Sequence, residues 1–289
     1  MTRLAVLADI HGNLPALEAV LDDIEQQHVD HIVVAGDSIS WGPFSVEVLE
    51  HIKTGGWATL RGNNEYYLLD YGTERAPAQW QNYRIIPWMQ RQLDGYWRNV
   101  IAAWPDMLSL RYPDAPLLCV CHGSPRDPWE SIYPDITAHE IEEMLDGVNE
   151  TTLIAAHTHL SMDRQIAGRH ILNPGSVGFP ADGNIAASYM ILNGTPEGWQ
   201  AELRRIPYDM TPLWAEYERK NFAAQVGPIT ELVYVELRTA RLQVYPFSLW
   251  RAEQHTSVAE NQAAVALFND KIRRAYTPEQ YLRLERVQP

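Results

Sequence analysis

Two cysteines are all the chain has in 289 residues, and they sit two apart, as Cys119 and Cys121 in the run "LLCVCHGSP". On an extended strand that spacing puts both side chains on one face, pointing the same way, which does not suit a disulfide. They read as small buried apolar residues, and nothing marks an oxidising compartment. Long apolar runs are missing too. None approaches the roughly 20 residues that cross a bilayer, and the N-terminal run is too short for a signal segment and passes straight into Asp9. A cytoplasmic protein with no membrane partner is expected. Basic residues are scarce. The net charge is −14, and residues 1–207 carry 13 basic against 27 acidic side chains, while residues 208–289 carry 10 of each. So acidic a domain excludes general nucleic-acid binding. An anion handled there needs positive charge supplied locally, and bound metal is the obvious supplier.

What is present first is a rhythm. Leu4 to Ala8 reads as a buried strand, and Asn13 caps a helix with Pro15 in its first turn and Leu14, Leu17, Val20, Leu21 and Ile24 as the apolar stripe. "HIVVAG" is a second strand, Ser45 to Ile52 a helix, and "WATLRGNNE" a third strand running into a loop at Gly62-Asn63. Strand ends recur at residues 9, 37 and 63, a beat of about 27 residues that fits βαβ units and a parallel sheet. Functional groups collect at the carboxyl ends of such strands.

Residues 72–106 change to a helical pattern rich in Trp and Tyr, including Trp80 and Trp88, which suits either core or a lid over a substrate base. Residues 107–206 read mostly as strands, interrupted by one helix from His139 to Leu145. From Tyr208 onward we expect a helix, strands over "LVYVEL" and "LQVYPF", and helices across Val258 to Arg274 and Pro278 to Leu284. The expected division is therefore a catalytic domain over 1–207, with 72–106 inserted in it, and a charge-balanced appendage over 208–289.

The polar residues at strand ends form a set: Asp9 and His11, Asp37, Asn63, His122, then His157 and His159. Asp-x-His and His-x-His share a spacing that, at the end of a strand, can aim two ligands at one point. A turn with a helix cap explains Asn13 and Gly12 but neither Asp9 nor His11. Imidazole with carboxylate suits transition metals, and seven ligands are too many for a single ion that keeps an open position. They suit two ions about 3.5–4 Å apart that share a carboxylate, with Asp37 as the expected bridge. The expected cofactors are two divalent transition-metal ions drawn from Mn, Fe, Zn, Co or Ni, manganese first among them.

The motifs "DIHGN", "GDSISWGP", "LRGNNE", "CHGSP", "AAHTH" and "NPGSVG" stand in the order and rough spacing of the calcineurin-like metallophosphoesterase superfamily, and residues 3–207 resemble its small bacterial phosphodiesterase-like branch. The resemblance implies a four-layer α/β/β/α sandwich of two mixed sheets. It also implies that Asp9, His11, Asp37 and His159 hold one ion and that Asp37, Asn63, His122 and His157 hold the other. Two departures stand out. Asn64 occupies the place of a histidine that in many members protonates the leaving group, and Ala181 and Ala186 stand where many relatives carry arginine. Arg126, close behind His122, can either grip a phosphate or pair with Asp127.

The expected reaction is hydrolysis of a phosphodiester or phosphoanhydride by a metal-bridging hydroxide. Asn63 and Arg126 would steady the phosphoryl oxygens, and the partner would be a small phosphorylated substrate such as a nucleotide. An amide at Asn64 cannot act as an acid, which favours good leaving groups. The alternatives are a phosphomonoesterase or protein serine/threonine phosphatase, or a non-catalytic metal-binding scaffold of the same fold.

Overall fold

The computed structural model describes residues 1–254 and 262–287. In chain order its strands are β1 (Arg3–Leu7), β2 (His31–Val34), β3 (Ala58–Thr59), β4 (Met107–Tyr112), β5 (Ala115–Cys121), β6 (Thr152–Ala155), β7 (Met162–Ile166), β8 (Arg169–Asn173), β9 (Ala187–Thr195) and β10 (Gly198–Ile206). They form two mixed sheets, ordered β10-β9-β1-β2-β3 and β4-β5-β6-β8-β7. β1 runs parallel to β2 and antiparallel to β9, so it lies inside its sheet with both faces covered. That is why Leu4 to Ala8 is a continuous apolar run rather than an alternating one.

Period-two alternation sorts the side chains into layers. Leu4, Val6 and Val33 from the first sheet meet Leu118, Val120 and Ile154 from the second between the sheets. Ala5, Leu7 and Val34 point outward onto α1 (Leu14–Gln27) and α2 (Ser45–Gly55). Cys119 and Cys121 face the other way, where α6 (Ala138–Met144) covers them with Ile141; both are buried free thiols. The result is the α/β/β/α sandwich. Asn13 caps α1 as expected, its Oδ1 accepting from the Ala16 amide at 3.3 Å.

The third strand is shorter than its apolar run suggested, because the chain turns at Arg61 and starts α3 (Asn63–Asp70). Asn63 and Asn64 therefore occupy a first helical turn, not a loop. The inserted segment continues through α4 (Ile85–Gln92) and α5 (Gly95–Ala102). Beyond the sheets come α7 (Thr211–Arg219), α8 (Phe222–Val226), α9 (Thr230–Thr239), α10 (Val244–Glu253), α11 (Gln262–Leu267), α12 (Asp270–Tyr276) and α13 (Glu279–Val287).

The strands expected over "LVYVEL" and "LQVYPF" are not there: the first lies within α9 and the second leads into α10. Leu232, Val233, Glu236, Leu237 and Ala240 are buried while Val235 is 41 % exposed, which is helical spacing. The β-branched and aromatic residues imitate a strand, and tertiary packing overrides their propensity. The part of the expected helix over 258–261 lies outside the described residues.

The inserted and C-terminal segments share one core. Trp80, Ile85, Trp88 and Trp97 pack with Leu213, Tyr217, Phe222 and Phe247. Trp88 is 2 % exposed and meets the Phe222 ring edge-on at 4.8 Å. Trp88→Ala should therefore cost about 3–5 kcal/mol, as other large aromatic truncations in cores do. Thermal unfolding checks this; an unchanged midpoint would contradict a core role for the ring.

Candidate metal centre

β1, β2 and β6 each stop before the residues of interest. Asp9, His11, Asp37, His157 and His159 lie just past the strand ends, and all five have left-handed backbone, with φ of 53°, 50°, 52°, 66° and 58°. Non-glycine residues rarely adopt that region, and they hold it only when their surroundings over-determine it. The pleat alternation expected to aim each pair is thus not the cause; alternate left-handed residues are. The loops that impose them bond to one another. The Asp9 amide donates to Gly36 O at 3.1 Å, the His11 amide to Asp37 O at 2.9 Å, and the Gly42 amide to His11 O at 2.7 Å. Ser176 Oγ and the Gly178 amide donate to Asp9 O at 2.7 and 3.0 Å. Gly62 lies so close to Asp37 that a Cβ there would sit 2.2 Å from Asp37 Oδ1.

The side chains converge. His11 Nε2 and His159 Nε2 approach to 3.1 Å, and Asp9 Oδ1 is 3.8 and 3.4 Å from them. Asp37 Oδ2 is 3.7 Å from His11 Nε2 and 3.4 Å from His122 Nε2, which is also 3.9 Å from Asp9 Oδ1 and 3.0 Å from Asn63 Oδ1. Two sets of ligand atoms result, Asp9 with His11 and His159, and Asp9 with Asp37 and His122, each within 4.8 Å of one another. Asp9 and Asp37 both reach across the two sets, through His122 and His11 respectively. His157 is alongside: its amide donates to Asp9 Oδ2 at 3.2 Å, and its ring is 5.2 Å from that of His122.

These residues fit metal on two counts. Asp9 Oδ1 is buried without a hydrogen-bond partner. Two ring nitrogens 3.1 Å apart also have the spacing of ligands about 2.1 Å from one ion at roughly a right angle. The Nδ1–H of His122 donates to Ala35 O at 2.9 Å and that of His159 to Phe179 O, which turns each Nε2 inward.

Ionisation follows from burial and charge. Burial pushes His11 and His157 down to about 4, so both are neutral near pH 7. Burial also opposes charge on His122, but the Asp37 carboxylate outweighs it and raises His122 to about 10; Asp9 does the same for His159 in direction. Burial would raise Asp9 and Asp37, yet the facing imidazoles hold both below the usual carboxylate range, His159 first for Asp9 and His122 for Asp37. Two carboxylates thus draw positive charge to the point where the ring nitrogens meet.

Two residues take on roles that residue type alone did not reveal. Asn64 clasps Asp37: its amide N–H donates to Oδ1 at 2.8 Å and its side chain to Oδ2 at 2.5 Å. Glu65, fully buried, accepts from the Asp37 and Gly62 amides through Oε2, at 3.0 and 2.7 Å, and from the Ser38 amide through Oε1 at 2.9 Å. An acid three residues after Gly62 is the N3 position of a helix start, a signal that "GNNE" carried. Burial, then the nearby Asp37 charge, pushes Glu65 up to about 7.

A cavity of about 820 Å³ opens on this centre, lined by His11, Asp37, Asn63, Asn64, His157 and His159 at its floor. Arg126 is not among the residues lining it. Its guanidinium pairs with Glu130, not with the Asp127 foreseen for it, and donates to Glu143 O at 3.2 Å. The cations lining the cavity are Arg84 and Arg251, from the inserted and C-terminal segments. Nothing local in the sequence marks either one. Neither Trp80 nor Trp88 lines it, and both rings are buried in the core that the inserted and C-terminal segments share.

The family model for the calcineurin-like phosphoesterase superfamily domain matches residues 2–195. An uncharacterised protein of Methanocaldococcus jannaschii, MJ0912, is 26% identical over 246 residues, spanning 78% of this chain and 96% of its own. The phosphodiesterase YfcE of Escherichia coli is 26% identical over 204 residues, 67% of this chain and 89% of its own. Among solved structures, a metallophosphoesterase from Sphaerobacter thermophilus superposes with a TM-score of 0.67 at 24% identity, covering 83% of this chain and 99% of its own. The hypothetical protein PH1004 from Pyrococcus horikoshii gives 0.69 at 20%, covering 84% and 100%. With the family model spanning well over half its length, this chain belongs to the calcineurin-like phosphoesterase superfamily.

Proposed function

We propose that the chain is a dinuclear metal-dependent phosphoesterase acting on phosphodiesters. The observation that carries this reading is the convergence of ring nitrogens and carboxylate oxygens from β1, β2, β5 and β6 on two adjacent points, with Asp9 Oδ1 left buried and unpartnered. Asp9, His11, Asp37 and His159 would hold one ion, and Asp37, Asn63, His122 and His157 the other. Two such ions supply Lewis acidity and a nucleophile drawn from water at neutral pH.

The chain's own residues do the rest. Asn64 and Glu65 fix the Asp37 carboxylate and the loop that carries it, so the ligand set does not reorganise when substrate arrives. Arg84 and Arg251 bring positive charge to the cavity of an acidic domain. Asn64 gives one side-chain N–H to Asp37, and an amide is too weak an acid to protonate a departing oxygen. A leaving group that departs as a stable anion is therefore favoured.

The test pairs metal analysis with turnover. Protein supplied with Mn, Fe, Co, Ni or Zn should bind close to two ions and hydrolyse aryl phosphodiesters at rates that fall steeply as the leaving phenol becomes more basic. Acid catalysis is typically worth about 10²–10⁴-fold, and it matters most for the poorest leaving groups. A shallow dependence would mean that another cavity residue supplies the proton. Two bound ions with no turnover of any diester would make the chain a metal-binding scaffold.

A further inference from the structure

The cavity's walls differ in chemistry. Beside Asn63 and Asn64 lie Tyr67 and Trp129, whose indole N–H donates to the Tyr67 hydroxyl at 3.4 Å. Beside His159 the wall comes from the chain after β5 and from α9, α10 and α13, and it presents Tyr133, Glu236, Tyr245, Ser248 and Tyr281. The Tyr281 hydroxyl donates to Thr158 O, between the two ligand histidines, at 2.6 Å. Its ring meets that of Tyr133 edge-on at 5.9 Å.

Glu236 is out of character in a cavity that receives an anion. Apart from the candidate ligand Asp37, it is the only carboxyl group among the described residues that line the cavity. It is 7 % exposed. Its Oε2 accepts from the Gln243 and Val244 amides at 2.9 and 3.1 Å, which fixes the side chain, and Oε1 accepts from no described residue. His159 and Arg273 are the basic side chains that act on it, and Arg273 is committed to Glu285 at 2.7 Å. A carboxylate fixed in a cavity wall is a ready acceptor for a donor that enters. It repels phosphate and polyphosphate but accepts well from hydroxyl groups, and the tyrosine and serine hydroxyls around it can donate or accept as required.

We propose that Glu236, with the hydroxyls of Tyr133 and Tyr245, forms a subsite for a hydroxyl-bearing alcohol arm of the substrate, a glycerol or a ribose. It rests on the phosphodiesterase reading and narrows it: one ester arm carries adjacent hydroxyls that bond Glu236 Oε1, while the phosphate lies over the ligand cluster. Tyr281 is a positioning residue that ties this wall to the loop carrying His157 and His159.

The experiment holds the leaving group constant. Four 4-nitrophenyl phosphodiesters differ only in the retained arm: methyl, glyceryl, uridyl and aminoethyl. The unmodified protein should favour the glyceryl or the uridyl arm over methyl by about tenfold or more in kcat/KM, the scale of a hydrogen bond to a charged group. Which of the two leads tells glycerol from ribose. Glu236→Gln should bring the ratio close to one, and Tyr245→Phe, at a half-exposed position, should lower it severalfold without threatening the fold. Calorimetric binding of glycerol phosphate against methyl phosphate should show the same preference and the same loss.

No preference for hydroxylated arms overturns the proposal. So does a preference that survives Glu236→Gln, or an aminoethyl arm that outranks both. Absent turnover with the binding preference intact would instead overturn the phosphodiesterase reading and leave the subsite standing.

Discussion

Asp37→Ala should strip both ions from the protein and reduce phosphodiester hydrolysis to background. Asp37 Oδ2 faces His11 Nε2 from one ligand set and His122 Nε2 from the other, at 3.7 and 3.4 Å. Removing the carboxylate takes the shared oxygen from both positions and the negative charge that draws cations to them. His159→Ala, by contrast, removes a ligand from a single set and should chiefly lose one ion. Elemental analysis of each variant, purified without chelator, separates the two outcomes. An Asp37→Ala protein that retained two tightly held ions would refute the bridging role.

Glu65→Ala should be nearly as damaging, although Glu65 is not itself a candidate ligand. Its two oxygens serve three buried amides, those of Asp37, Ser38 and Gly62. Each amide left without a partner costs about 1–3 kcal/mol, so the loss is several kcal/mol even if one is rescued. The loop carrying Asp37 would relax from its left-handed turn, and the ligand set would open. Denaturant unfolding should show a large fall in midpoint, and metal content should fall with it. Full stability with unchanged metal content would mean the loop is held by its backbone contacts alone. Glutamine is a poor rescue here, since its amide group would face one of the same donors.

Much of this was legible in the residues, for reasons that differ from place to place. The buried strands of the first half announced themselves because both of their faces are covered, which writes a continuous apolar run. The candidate ligands were legible because few roles besides metal binding call for aspartate and histidine two residues apart at a strand end. Their left-handed backbone was not, since aspartate and histidine, though enriched at positive φ, adopt it only occasionally. Glu236, Arg84 and Arg251 were hidden for another reason. They enter the cavity from segments far along the chain that match no pattern, and only packing against Trp88 and its neighbours brings those segments over the site. The misread strands of the C-terminal segment share that cause, because a helix whose buried face is rich in Val, Leu and Tyr looks extended until its partners are known.

The first strand of the chain lies in the middle of its sheet, and its register pairs Arg3 with Asn193. Such long-range pairings are closed late, after the entropy of a large loop has been overcome. On a ribosome, β1 has its parallel neighbour within reach early but waits for β9 until Ala187–Thr195 has been made. The turn that shapes Asp9 waits as well, because Ser176 and Gly178 complete it. A nascent chain therefore carries Asp9 and His11 without the geometry to hold an ion until that turn closes. Any ion held there would meet ligands already fixed in place, not a flexible chain that takes whichever ion comes first.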